Sequence, residues 1–157
     1  MSAARPGAKP LEGNVTDGDR PYVGGIGSRR EARERAVALL YEAEAKDSAP
    51  VAVLEALPVA AEPFTAELVT GVGDNIDEID GLLRTHAKGW KLERMPSIDR
   101  AVLRIAVFEL VHRPDVPRGA VISEAVELAS QYSTDESGRF VNGMLSTIAD
   151  LARPDGT

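Results

Sequence analysis

Between residues 28 and 150 apolar positions recur at spacings of three and four, the period of helices that each bury one face. Ser28 is placed to cap a helix running to about Ala45, with Ala32, Ala36, Leu39, Leu40 and Ala43 on its inner side. Pro50 closes the turn after it, and a short helix near Val51–Leu57 is punctuated by Pro58 and Pro63. Glu62–Val72 and Ile76–His86 follow as two helices broken near Gly71–Gly73, the second with Ile76, Ile79, Leu82 and Leu83 as its buried stripe. Trp90 and Leu92 fall in an irregular connector. From Ile98 to Val111 ten of fourteen residues are apolar, so a helix near 98–112 is expected to be buried on nearly every side. Pro114 ends it, and Asp115-Val-Pro117 opens the next, which carries Val121, Ile122, Ala125 and Leu128 inward. The last helix begins at Ser133, whose spacing to Glu136 is that of a capping box, and its apolar positions are Phe140, Val141, Leu145 and Ile148.

No window alternates with period two, so no sheet is expected, and no 20–50-residue repeat is present. The pattern predicts an all-α fold, a two-lobed helical bundle of about seven helices. Its expected parts are a flexible Gly-, Pro- and Ala-rich tail over 1–27, an N-terminal helical subdomain over 28–88 and a C-terminal one over 89–154. Gly143 in mid-helix costs about 1 kcal/mol against Ala, which points to a helix or ligand close to the backbone there. Gly71-Val-Gly73 lacks the preceding strand and the length of a dinucleotide loop, and reads as a helix end using left-handed backbone angles.

Composition narrows the function. The net charge of −7 sets a field that repels bulk nucleic acid, but it leaves room for a local basic site. The absence of cysteine removes disulfides and thiolate metal sites and fits a reducing cytoplasm. There is no leader-like apolar run and no span of the ~20 apolar residues needed to cross a bilayer, so a cytoplasmic protein is expected. The two histidines, His86 and His112, sit near helix C-termini, where the dipole favours positive charge, and neither has a second ligand at helical spacing. No serine lies in a Gly-x-Ser-x-Gly turn, and Asp77, Glu78 and Asp80 read as a solvated helix face. Neither a metal, a cofactor nor catalysis is expected.

The lead that survives is basic. Arg29, Arg30, Arg33 and Arg35 stand against Glu31 and Glu34, a local excess of two positive charges. Arg29 and Arg33 are i,i+4 and Arg30 and Arg33 are i,i+3, so three guanidiniums are placed on one face. A guanidinium offers a planar fork to phosphate oxygens and stacks on bases. The competing reading is intrahelical pairing of Glu31 with Arg35 and Glu34 with Arg30.

Ser28-Arg-Arg-Glu-Ala-Arg-Glu-Arg-Ala-Val-Ala-Leu-Leu-Tyr41 resembles the opening helix of the NusB family of transcription antitermination factors. Ile98 to Leu110, Asp115-Val-Pro117, Ile122 to Ala129 and Phe140-Val-Asn-Gly143 are similar, in that order, to the family's C-terminal signature. The resemblance covers about residues 28–150. It implies a helical, non-catalytic factor that binds the boxA element of ribosomal-RNA leader transcripts together with NusE, a basic small-subunit ribosomal protein. With other Nus factors on RNA polymerase, that complex lets transcription pass Rho-dependent terminators. By position, the family's RNA-binding residues fall on Arg29, Arg30 and Arg33, and on Arg139, Phe140 and Asn142; Tyr41, Glu109, Asp135 and Glu136 fall on its NusE-facing surface. Three neutralised phosphates would give a salt slope of roughly −2. On this reading Arg30→Ala with Arg33→Ala weakens RNA binding and leaves thermal stability nearly unchanged.

Glu31 interrupts the arginine run, and the tail is longer than the family core requires. Two other readings are open: the NusB-like domain of an RNA cytosine methyltransferase, for which a chain stopping at Thr157 leaves no cofactor-binding sheet, and a structural homodimer with its arginine face against an acidic surface of a second copy.

Overall fold

The computed structural model describes residues 26–157, with side chains from Arg29 onward; positions 1–25 of the expected tail lie outside the described residues. Seven α-helices occupy this span: α1 Ile26–Ala45, α2 Pro50–Glu55, α3 Pro63–Asp74, α4 Ile76–His86, α5 Ser97–His112, α6 Arg118–Tyr132 and α7 Asp135–Ala152. A 3-10 turn covers Leu92–Arg94, and there is no strand among the described residues. The fold is all-α, as the hydrophobic period requires.

Several helix ends differ from expectation by a residue or two. α1 begins at Ile26, so Ile26 and Gly27 leave the tail and Ser28 sits inside the first turn instead of capping it. Pro63 takes the first turn of α3, where a missing N–H costs nothing, and the Glu62 side chain accepts from Thr65 N. The break between α3 and α4 falls at Asn75, whose amide donates to Gly71 O at 2.8 Å. Gly71 is therefore not a helix end. It lies inside α3, and a Cβ there would run into the Phe108 ring on α5, so glycine serves close helix contact rather than left-handed angles.

α5 is the centre of the molecule and packs against α1, α3, α4, α6 and α7. Ala101, Val102, Leu103, Ile105, Ala106, Val107, Phe108 and Leu110 are all buried. A helix enclosed on all sides must also satisfy its ends and its polar residues internally. The buried Arg153 does this at the C-terminal end. Its guanidinium donates to Glu109 O, Leu110 O, Arg113 O and Val116 O at 2.6–3.1 Å. At the other end the Arg100 guanidinium donates to Leu92 O and Met95 O, which ties the connector down.

Asp80 corrects the expected solvated acidic face of α4. It is buried and takes a bidentate bond from Arg104 at 2.9 Å to each oxygen. Arg104 and Arg100 both reach Glu44 near the end of α1, so one network joins α1, α4 and α5. The Arg100 hydrogen bond holds the Glu44 carboxyl below its ordinary pKa.

Candidate nucleic-acid interface

The four arginines of α1 divide according to the direction each takes from the helix. Arg33 shares its side of α1 with the buried Val37 and Leu40, and its guanidinium goes inward. There it forms a bidentate pair with Glu109 of α5, at 2.9 and 2.8 Å. Arg33 is 5% exposed and Glu109 1%. Two of the expected contacts are thereby corrected: Arg33 is not presented to RNA, and Glu109 is not presented to a partner. A buried carboxylate and a buried guanidinium each demand the other, because an unpaired charge in the interior is strongly destabilising.

Arg30 points across to α6 and forks onto Glu124 at 3.0 and 2.9 Å, with its own side chain still 42% exposed. That hydrogen bond raises the Arg30 pKa further. The expected local pairs do not form: Arg30 takes a carboxylate 94 residues away, and Glu34 accepts from Tyr132 Oη at 3.1 Å. Glu31 and Arg35 are exposed, with no ion pair between them.

Arg29 sits 4.9 Å from the centroid of the buried Phe64 ring, a cation–π contact that fixes its direction without neutralising it. Arg33 and Arg113 approach the same ring at 5.4 and 5.3 Å. Arg113 is itself neutralised by Glu67 and Asp115. Its hydrogen bond is the main reason the Asp115 carboxyl falls to about 2. The start of α1 thus presents Arg29 and the outer edge of Arg30.

The second expected region is the beginning of α7. Here the cap is Thr134 rather than Ser133: Thr134 Oγ1 accepts from Ser137 N at 2.9 Å. Ser137 Oγ then donates to the buried Asp99 of α5 at 2.8 Å, which anchors the helix start to the core. The glycine approached by a neighbouring helix is Gly138, where a Cβ would meet Ser130 Oγ. Gly143 faces open space instead, so no protein atom accounts for its lack of a side chain. Arg139 and Asn142 are exposed on the same side as Gly143, at helical spacings of three and four. Phe140 is half-buried, its ring 5.4 Å from that of Trp90.

α6 bridges the two regions. Its Glu124 holds Arg30, and Tyr132 at its end holds Glu34, immediately before α7 begins. Of the expected partner-facing residues, Tyr41, Asp135 and Glu136 are exposed. Among the described residues no cluster of histidines and carboxylates is arranged to hold a metal, and no helix is long and apolar enough to cross a membrane.

The arrangement suits binding: guanidiniums and an exposed amide carried on helices, beside an aromatic pair formed by Phe140 of α7 and Trp90 of the connector after α4. Comparison with known proteins agrees. Residues 30–150 match the NusB family. The chain is 46% identical over 134 residues to the transcription antitermination protein NusB of Corynebacterium efficiens, covering 78% of this chain and 71% of that protein. The crystal structure of T. maritima NusB superposes with a TM-score of 0.72 at 32% identity, covering 82% of this chain and 95% of that one. A crystal structure of the antitermination factors NusB and NusE with double-stranded RNA superposes with a TM-score of 0.69 at 27% identity, over 81% and 99% of the two chains.

Proposed function

The chain belongs to the NusB family, and from that premise we propose that it binds the boxA element of ribosomal-RNA leader transcripts through Arg29, Arg30, Arg139, Phe140 and Asn142. It is an RNA-binding transcription antitermination factor and not an enzyme, and it acts with NusE. Its place of action is the cytoplasm, on RNA polymerase with the other Nus factors.

The observation that carries this reading is the family match over residues 30–150. The geometry adds which side chains are available. With Arg33 committed to Glu109, two of the three candidate guanidiniums, Arg29 and Arg30, remain for phosphate, and the salt slope expected from them falls to roughly −1.4, at ~0.7 per phosphate for a single strand. Arg30 must share its fork with Glu124, so its contribution is weaker than that of Arg29. Modest RNA affinity alone and a gain from NusE follow. Two of the three arginines of that face are satisfied within the chain, by Glu109 and Glu124, which weakens the charge argument for covering it with a second copy.

The test is fluorescence anisotropy of a labelled boxA-type RNA and a scrambled control, with and without NusE. Preference for boxA that sharpens when NusE is added is expected. No preference in either condition overturns the reading.

A further inference from the structure

Trp90 is the only tryptophan of the chain, and it is 54% exposed. An indole left in water forfeits a large burial gain, so its position needs a reason. It is not loosely held. Lys88 and Gly89 both take positive φ, 35° and 85°, in the turn after α4, and Trp90 N donates to Ala87 O at 3.0 Å. Leu92, two residues on, is buried and pins the other side of the connector. The indole is thus presented on a fixed turn, and its ring neighbour is Phe140 of α7, 5.4 Å away at an interplanar angle of 46°.

The surroundings are cationic. Lys88 and Lys91 flank the indole in sequence, and Arg139 precedes Phe140; all three are exposed, and none is in an ion pair among the described residues. Glu93, the nearest acid along the connector, is taken by Arg84 at 2.9 Å. On a body with a net charge of −7, Lys88, Lys91 and Arg139 set three unneutralised cations beside the aromatic pair, with Asp135 and Glu136 one turn earlier on α7. The aliphatic side chains beside them, Leu92 and Met95, are buried, so the patch has little to offer an apolar protein surface. A planar ring carried on a polyanion fits both features, and Gly143 leaves room for it along α7.

We infer that Trp90 and Phe140 form a stacking platform for unpaired RNA bases, with Lys88, Lys91 and Arg139 holding the flanking phosphates. This extends the RNA site of α7 onto the α4–α5 connector, and it rests on the RNA-binding reading above. The bases must come from a single-stranded segment, because only an unstacked base offers its face to a side chain.

The sole tryptophan makes the test direct. The full chain is titrated with a short single-stranded boxA-type RNA while indole emission and RNA anisotropy are followed in parallel. Emission should be quenched in step with binding. Trp90→Ala should weaken binding about tenfold, the scale of one lost base–aromatic stack, while Trp90→Phe stays within about threefold of the parent. Lys88→Ala with Lys91→Ala should flatten the salt slope by about 1.4, for two phosphates released. RNA binding with unchanged emission and an undiminished Trp90→Ala variant overturns the platform and leaves the RNA reading standing. Loss of NusE binding with RNA binding intact overturns it in favour of a protein occupant. If the parent chain binds no RNA even with NusE present, both readings fall.

Discussion

Arg29 and Arg33 lie four residues apart on one helix, yet one faces solvent over the Phe64 ring and the other is sealed against Glu109. Their substitutions should separate accordingly. Arg33→Ala leaves a buried carboxylate unpaired and is expected to cost about 3–5 kcal/mol, lowering Tm by roughly 10–15 °C for a chain of this size. Replacing both partners by apolar residues, Arg33→Met with Glu109→Leu, should recover most of that loss in urea or thermal unfolding. Arg29→Ala should shift Tm by no more than about 2 °C while lowering RNA affinity and flattening the salt slope by about 0.7. A thermal scan beside a salt titration reads both effects. The double variant Arg30→Ala, Arg33→Ala is therefore a poor probe of RNA binding, because its larger effect is on the core. Helical spacing showed which arginines are neighbours but not which side of α1 turns inward. The information was nonetheless present: Arg33 is in step with Val37 and Leu40, and Glu109 is an ionisable residue inside an otherwise apolar helix. Two such misplaced charges of opposite sign, on different helices, are each other's natural partner.

At the scale of elements, the helices were readable because apolar positions recur at spacings of three and four, or in α5 nearly all round, and their ends were less so because caps compete over one or two residues. Ser133 and Thr134 are both competent caps, and the bond from Ser137 to Asp99 is what places the start at Thr134. The glycines were harder still, since close approach is a tertiary fact invisible to local pattern. They give opposed expectations. Gly71→Ala drives a methyl into Phe108 and should destabilise by about 1–3 kcal/mol. Gly143→Ala meets nothing and should stabilise α7 by about 1 kcal/mol, measured by urea unfolding. Ion pairs between elements carry a pH signature. Glu44 and Asp115 have folded pKa values below their unfolded ones, so their stabilisation is full above the unfolded values and is lost as pH falls through the folded ones. For Asp115 that window runs from the ordinary carboxyl value of 3.8 down to about 2. Both groups are partly exposed and screened, so the effect is a shallow slope and not a cliff. Glu44→Gln should flatten the acid limb of a Tm-against-pH curve below about pH 4.5, with little change in shape at neutral pH.

At the scale of the whole molecule, charge is sorted by place. The net charge of −7 belongs to a body whose interior cations are all spoken for, while Arg29, Lys88, Lys91 and Arg139 remain unneutralised at the start of α1, in the connector and on α7. Such a distribution handles two opposite partners at once. RNA, a polyanion, is repelled by the far field and held locally where those cations stand. NusE, a basic protein, is drawn by the same far field. The two associations should therefore respond differently to salt. RNA binding loses affinity along a shallow line set by a few phosphates. For NusE the effect should fall on the association rate, which steering raises at low salt and screening removes, by about tenfold between 50 and 500 mM. Asp135→Asn with Glu136→Gln, both exposed at the start of α7, should lower that rate a few-fold at low salt and leave dissociation nearly unchanged, as expected for rim charges. Stopped-flow mixing at several salt concentrations measures this directly. A change confined to dissociation would place the two carboxylates inside the contact, and no change at all would move the NusE-facing surface away from the start of α7.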